Sequence, residues 1–114
     1  MGAARLRTDF WVSAYIRRCA TEDVVAVLRR RGAAEAGAIF VKLDRLDGTA
    51  RLFGPAPQSL MADDDGDRRF IEIPLSDDTP LAAEEKLRRE LNFDEDLWII
   101  EVEDRAGRHF LDLA

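Results

Sequence analysis

One cysteine and one histidine are all that this 114-residue sequence offers for thiol or imidazole chemistry. Cys19 has no internal disulfide partner, which fits a reducing compartment, and one Cys with one His leaves no Cys/His zinc site. No apolar run approaches the roughly 18 residues of a membrane-spanning helix. The first residues lack the apolar core of a secretory signal, so a cytoplasmic protein without membrane contact is expected. Met1-Gly2 opens a myristoylation-like pattern, but Leu6 stands where that motif needs Ser or Thr. Internal repeats and low-complexity segments are absent.

The scarcity extends to catalytic motifs. His109 is the single imidazole, and Ser13, Ser59 and Ser76 lie in no Gly-x-Ser-x-Gly context. Residues 32–37 have the glycine spacing of a phosphate loop, yet Ala38 replaces the lysine that would reach the phosphates. Asp63, Asp65, Gly66 and Glu72 fall at four anchor positions of an EF-hand loop. Met61 occupies the first ligand position, however, and residues 70–73 read as a strand where a helix should begin, so an acidic surface turn is the expectation. With 23 acids in the chain, carboxylate proximity alone carries no information. No cofactor and no metal are expected.

What is present describes one domain, residues 1–114, of the commonest domain size. Hydrophobic residues make up 46% and charged residues 35%, a globular rather than a disordered composition. The net charge of −6 is unevenly distributed. Up to Arg31 there are seven arginines (5, 7, 17, 18, 29, 30, 31) against three acids, 7 − 3 = +4, and the remainder carries 10 − 20 = −10. Such lobes suit head-to-tail contact between copies or an acidic partner on the N-terminal part, with Arg17 and Arg18 as candidates. The plain alternative is solvated surface. Overall acidity, and no strand on which aromatic and basic residues interleave, speak against nucleic-acid binding.

Residues 38–54 form the plainest structural unit, two alternating apolar runs joined by Asp47-Gly48, the strongest short-range hairpin signal. A two-residue loop would place Leu46 opposite Thr49, Asp44 opposite Arg51, Leu43 opposite Leu52 and Lys42 opposite Phe53. One face then carries Val41, Leu43 and Leu52, and the other an Asp44–Arg51 ion pair beside Lys42 and Phe53.

Around this unit the chain reads in order. Thr8 or Asp9 can cap a helix over residues 10–20 with an apolar stripe of Trp11, Tyr15 and Cys19 flanked by Val12 and Ile16. Residues 21–31 satisfy both helix and strand signals. The β-branched Val24, Val25 and Val27 favour a strand, expected beside the hairpin because the 32–37 connector is short. Residues 54–59 form a loop and 69–73 a fourth strand. Thr79 and Pro80 start a second helix with Ala83, Leu87 and Leu91 inward, and Glu84–Arg88 and Glu85–Arg89 pairs outward. Residues 97–103 form a fifth strand with Trp98, Ile100 and Val102 on one face. The predicted fold is α+β, a mostly antiparallel sheet of four to five strands with both helices on one face.

Arg105, Arg108 and His109 are the most concentrated polar cluster near the C-terminus. They read as a charged turn closing the last strand, or as a small-anion or peptide site in which two guanidiniums offer bidentate donors. Trp11 and Trp98 are expected in the core.

Several segments together carry a resemblance: Phe10-Trp-Val-Ser-Ala-Tyr15, Ala36-Gly-Ala-Ile-Phe-Val-Lys42, Asp44-Arg-Leu-Asp-Gly48, Phe53-Gly-Pro-Ala-Pro-Gln58, Phe93-Asp-Glu-Asp-Leu-Trp98 and Glu103-Asp-Arg-Ala-Gly-Arg-His-Phe-Leu-Asp112. The chain resembles, over nearly its whole length, the short bacterial family catalogued as domain of unknown function 1491. None of these motifs is a catalytic signature. The resemblance implies no activity, cofactor, partner or site residue, and the functional expectation rests on the residues. It is a non-enzymatic interaction module, meeting another protein or a second copy as a homodimer. The competing expectation is an anion binder or hydrolase using Arg105, Arg108 and His109.

Overall fold

Helix α1, Thr8–Thr21, turns Val12, Tyr15 and Cys19 into the core, with Trp11 and Ile16 partly buried beside them. The computed structural model describes residues 6–57 and 68–114. The expected side-chain cap is not how α1 begins. Thr8 is fully buried and its hydroxyl donates to the Gly37 carbonyl at 3.0 Å. The first-turn amides of Thr8 and Asp9 donate to the carbonyls of Glu35 and Ala34, so the 32–37 connector caps the helix with its backbone.

The strands are β1 (Val25–Arg30), β2 (Ile39–Asp44), β3 (Ala50–Pro55), β4 (Phe70–Glu72) and β5 (Trp98–Glu103), and helix α2 spans Pro80–Phe93. They form one five-stranded sheet in the order β1-β5-β2-β3-β4, antiparallel except where β5 runs parallel to β2. The α+β class and the five strands are as expected, and residues 25–30 are a strand. Its neighbour is not the hairpin, however, because β5 lies between β1 and β2. Trp98, Ile99 and Ile100 are all buried, and a strand apolar on both faces belongs in the middle of a sheet.

That same two-sidedness places the helices on opposite faces rather than on one. On one face α1 covers Ile39, Val41, Leu43, Phe53, Trp98, Ile100 and Val102. On the other, Leu87 of α2 joins Phe40, Leu52, Leu97 and Ile99, with Leu91 packed at the margin. Two helices on one face would leave Phe40, Leu52 and Ile99 in water, at about 2 kcal/mol for each such side chain. Thr79 caps α2 by accepting from the Ala82 amide, with Pro80 in the first turn as read from the sequence. Among the described residues no helix is long and apolar enough to cross a membrane.

The hairpin stands where expected, but its register differs by one residue. Lys42 pairs with Leu52, Leu43 with Arg51 and Asp44 with Ala50. The Arg45 amide donates to the Thr49 carbonyl at 3.0 Å, leaving the three-residue loop Leu46-Asp47-Gly48, with positive φ at Leu46 and Gly48. Asp47 accepts from the Thr49 amide and hydroxyl instead of adopting a left-handed conformation. One residue of slip moves every β3 side chain to the other face. Leu52 therefore meets α2, Phe53 meets the α1 side, and Arg51 faces Glu72 at 3.8 Å rather than Asp44.

The two sheet edges differ. The C-terminal tail covers β4. The Phe70 amide donates to Asp112, the Ala114 amide donates to Phe70, and Leu113 bridges Phe70. Among the described residues β1 pairs with β5 alone.

Candidate functional site

Arg105, Arg108 and His109 follow one another closely in sequence and part company in space. Arg108 is chelated by Asp104, Nε to Oδ2 and Nη2 to Oδ1 both at 3.0 Å, and Nη1 donates to the Glu22 carbonyl. The guanidinium holds the Asp104 carboxyl below its usual range. Arg105 reaches the hairpin loop and donates to the Leu46 carbonyl at 3.2 Å. His109 lies against the Phe53 ring at 4.7 Å, and its Nδ1 accepts from the Leu111 amide. Burial, aided by Arg51 and opposed by Glu72, pushes the imidazole below its ordinary pKa. The three side chains thus serve three separate contacts that fasten the last turn.

Of the helix arginines, Arg17 is exposed, and Arg18 lies over the Phe110 ring at 5.0 Å. Arg18 borders a shallow cleft with Trp11, Ala14, Tyr15, Arg68, Phe110 and Asp112. Trp11 and Tyr15 stack there at 5.0 Å, and the buried Tyr15 hydroxyl donates to the His109 carbonyl at 2.7 Å. Trp98 is fully buried, as expected of a core tryptophan. Its indole N–H donates to Ala33 at 2.8 Å. A Cβ on Gly32 would stand 2.1 Å from the Asp96 carbonyl oxygen, and one on Gly37 2.7 Å from the indole nitrogen. The phosphate-loop spacing of these glycines is therefore a packing requirement. The acidic stretch 61–67 lies outside the described residues. Among the described residues no three His, Cys, Asp or Glu side chains gather in a metal-binding group.

Sequence reasoning missed a charge network on the α2 face. Lys42, its side chain 7% exposed, sends Nζ to Glu84 at 2.7 Å and lies 3.7 Å from Glu101. Arg29 makes a two-pronged contact with Glu84, at 2.7 and 2.8 Å, and reaches Glu101 at 2.9 Å. Glu84 thus pairs with Arg29 rather than Arg88, and among the described residues an i,i+4 pair on α2 is Lys86–Glu90. The two cations pull the Glu84 carboxyl down to about 2, with the Arg29 hydrogen bonds first among the causes. The signal available was Lys42 itself, a lone cation inside the run Ile39–Asp44, which must find acids once buried. The network ties β1, β2 and β5 to α2.

The outer edge of β1 carries exposed apolar side chains. Val25, Val27 and Leu28 are 52%, 51% and 37% exposed. Val25 and Val27 pair with Glu103 and Glu101 on the face that carries Lys42, beyond the reach of α2. Neither proline nor lysine interrupts the strand, so the usual devices that blunt an edge are missing from its middle. The ladder is irregular between Leu28 and Arg30, a bulge from which Arg29 reaches its acids. Before the strand lie the exposed Glu22 and Asp23, and at its end Arg29, Arg30 and Arg31.

Residues 6–112 match a family model described as "Protein of unknown function (DUF1491)". A crystal structure of a DUF1491 family protein from Caulobacter crescentus CB15 is similar at 39% identity and TM-score 0.77, covering 93% of this chain and 92% of that one. A solution structure of a protein from A. tumefaciens is 39% identical with TM-score 0.81, covering 96% and 95%. An NMR structure of a DUF1491 family protein from Caulobacter crescentus CB15 is 40% identical with TM-score 0.77, covering 96% and 94%. No curated protein matches the sequence significantly.

Proposed function

The chain belongs to the DUF1491 family of proteins of unknown function, and from that premise we propose a non-enzymatic interaction module that takes an extended protein segment on the open edge of β1. The observation that carries this reading is the asymmetry of the sheet. One edge is covered by the chain's own tail, while the other presents a six-residue strand with three exposed apolar side chains. Strand addition supplies main-chain hydrogen bonds, and alternate side chains supply selectivity. The divergence of Arg105, Arg108 and His109 weighs against a convergent anion or hydrolase site. A buried, reduced Cys19 is at home in the cytoplasm, where we place the protein.

Affinity capture from native lysate tests the reading, with wild type compared against Val25→Lys/Val27→Lys and against Arg108→Ala. Proteins retained by wild type and by Arg108→Ala, but lost by the lysine variant, are the expected result. Retention unaffected by the lysines removes β1 as the contact element.

A further inference from the structure

We infer that the occupant of the β1 edge is a second copy of the same chain, the two strands running antiparallel about a two-fold axis through Ala26. This inference rests on the reading of β1 as a docking edge and adds the identity of the partner.

The argument begins from the charge order along the segment. Glu22 and Asp23 precede the strand, Val24 to Leu28 are apolar, and Arg29, Arg30 and Arg31 end it. Such a segment is complementary to itself when reversed. A parallel copy would set arginine beside arginine and acid beside acid, whereas an antiparallel copy sets each acidic end against a basic end. Arg108 stands close enough to Glu22 and Asp23 to feel their charge, but it is already chelated by Asp104.

Geometry then selects the register. A sheet continued across a two-fold axis perpendicular to it keeps each face on its own side, so facing residues must share a face. With Ala26 on the axis, Val25 faces Val27 of the second copy. Glu22 and Asp23, in the turn before the strand, then lie at the same end of the pairing as Arg29 and Arg30 of the second copy. Exposed valines thus meet exposed valines, each acidic turn lies at the basic end of the other strand, and Val24 stays in the core of its own chain. Moving the axis to Val27 would set Val25 against Arg29 and break that match. In the chosen register Val25 and Val27, both about half exposed in the single chain, form a continuous four-valine patch with their counterparts. The two five-stranded sheets become one, and no unpaired β1 edge is left.

Light scattering on the full chain over a concentration series reads the association directly, with a mass rising to twice 12.9 kDa as the expected result. Val25→Lys/Val27→Lys places lysine against lysine and holds the mass at that of one chain. A circular-dichroism melt shows whether that variant is folded. For the register, Val25→Cys and Val27→Cys copies are mixed and oxidised. Facing positions allow a disulfide and diagonal ones do not, so the mixture cross-links at least about tenfold faster than either variant alone. Buried Cys19 stays out of this reaction.

A wild-type chain that remains monomeric at the highest concentration overturns self-pairing. If its lysine variant still loses captured proteins, β1 stands as a docking edge for a different chain, and if not, both readings fall. A dimer indifferent to the two lysines also overturns the inference. Equal cross-linking of the mixture and the single variants rejects the Ala26-centred register.

Discussion

Lys42 Nζ lies 2.7 Å from Glu84 Oε2, joining a lysine flanked by apolar residues in a central strand to a helix that crosses the same face. The lysine is the buried member, at 7% side-chain exposure against 30% for Glu84. Removing the acid and removing the base should therefore have unequal effects. Glu84→Ala leaves a buried ammonium facing only the more distant Glu101 and is expected to cost about 2 kcal/mol. Lys42→Met keeps the volume, while Arg29 still neutralises both acids, so the change should stay within about 1 kcal/mol. Urea unfolding of the two variants measures the difference, and a larger loss for Lys42→Met would refute this account of the network.

Acid titration separates two further groups. The Glu84 carboxyl sits at about 2 in the folded chain, below its ordinary value of 4.5. The unfolded chain therefore takes up the proton first, and the stabilisation is complete above about 4.5 and lost as pH falls toward 2. His109 is likewise depressed, from 6.5, by burial. Its contribution is complete above that value and declines as pH drops below it. Stability against pH should thus fall in two stages. Glu84→Gln should reduce the lower stage, which it shares with other depressed carboxyls such as Asp104, and leave the upper one, whereas His109→Gln should flatten the upper one alone. A single stage insensitive to His109 would show that its burial carries no proton linkage.

Nitrogen NMR of the single imidazole gives an independent check. Because Nδ1 accepts from the Leu111 amide, the neutral ring carries its proton on Nε2. The expected spectrum is that tautomer at neutral pH, titrating below 6.5. A dominant Nδ1–H form would contradict the contact that fastens the C-terminal turn.

The elements legible in the sequence were those with local causes. Thr79 and Pro80 mark the start of α2, the Trp11, Tyr15 and Cys19 stripe marks α1, and β-branched valines outweigh the helix-like ends of residues 21–31. What escaped was non-local. Nothing near β1 announces that β5, some 70 residues later, will displace β2 as its neighbour. The charge network escaped for the same reason, since Arg29, Lys42, Glu84 and Glu101 come from four elements and each alone reads as surface charge. The polar turn of Arg105, Arg108 and His109 was legible as a cluster, but where each side chain points depends on the hairpin loop, Asp104 and Phe53, which adjacency in sequence does not report.

The connector glycines make a steric prediction. Gly32→Ala drives a methyl into the Asp96 and Leu97 backbone, which cannot swing away as a side chain would. A loss of about 3 kcal/mol is expected, read as a lower melting temperature, and Gly37→Ala should follow closely. Gly48 has open space around it and a φ of +89°, so Gly48→Ala meets only the left-handed penalty of about 1 kcal/mol. Equal losses at Gly32 and Gly48 would mean that the connector can shift away from β5.

The hairpin loop carries a prediction of opposite sign. Leu46 is 44% exposed and holds φ at 61°, a conformation that costs a residue with a branched side chain about 1 kcal/mol. Its side chain returns little packing for that strain, and the bonds that fix the loop come from its neighbours. The Asp44 carboxylate accepts the Leu46 amide, Asp47 holds Thr49, and the Leu46 carbonyl accepts from Arg105 through the backbone. Replacing Leu46 by Gly keeps all of these and relieves the strain, offset in part by the greater freedom of glycine in the unfolded chain. Leu46→Asn relieves it without that offset, because Asn tolerates the left-handed region. The expected order of stability is Leu46→Asn above Leu46→Gly above wild type, with the first step up from wild type about 0.5 kcal/mol. Had the loop been the two-residue Asp47-Gly48 turn, Leu46 would sit in the strand at negative φ. Both substitutions would then destabilise, so chemical denaturation of these two variants discriminates between the registers.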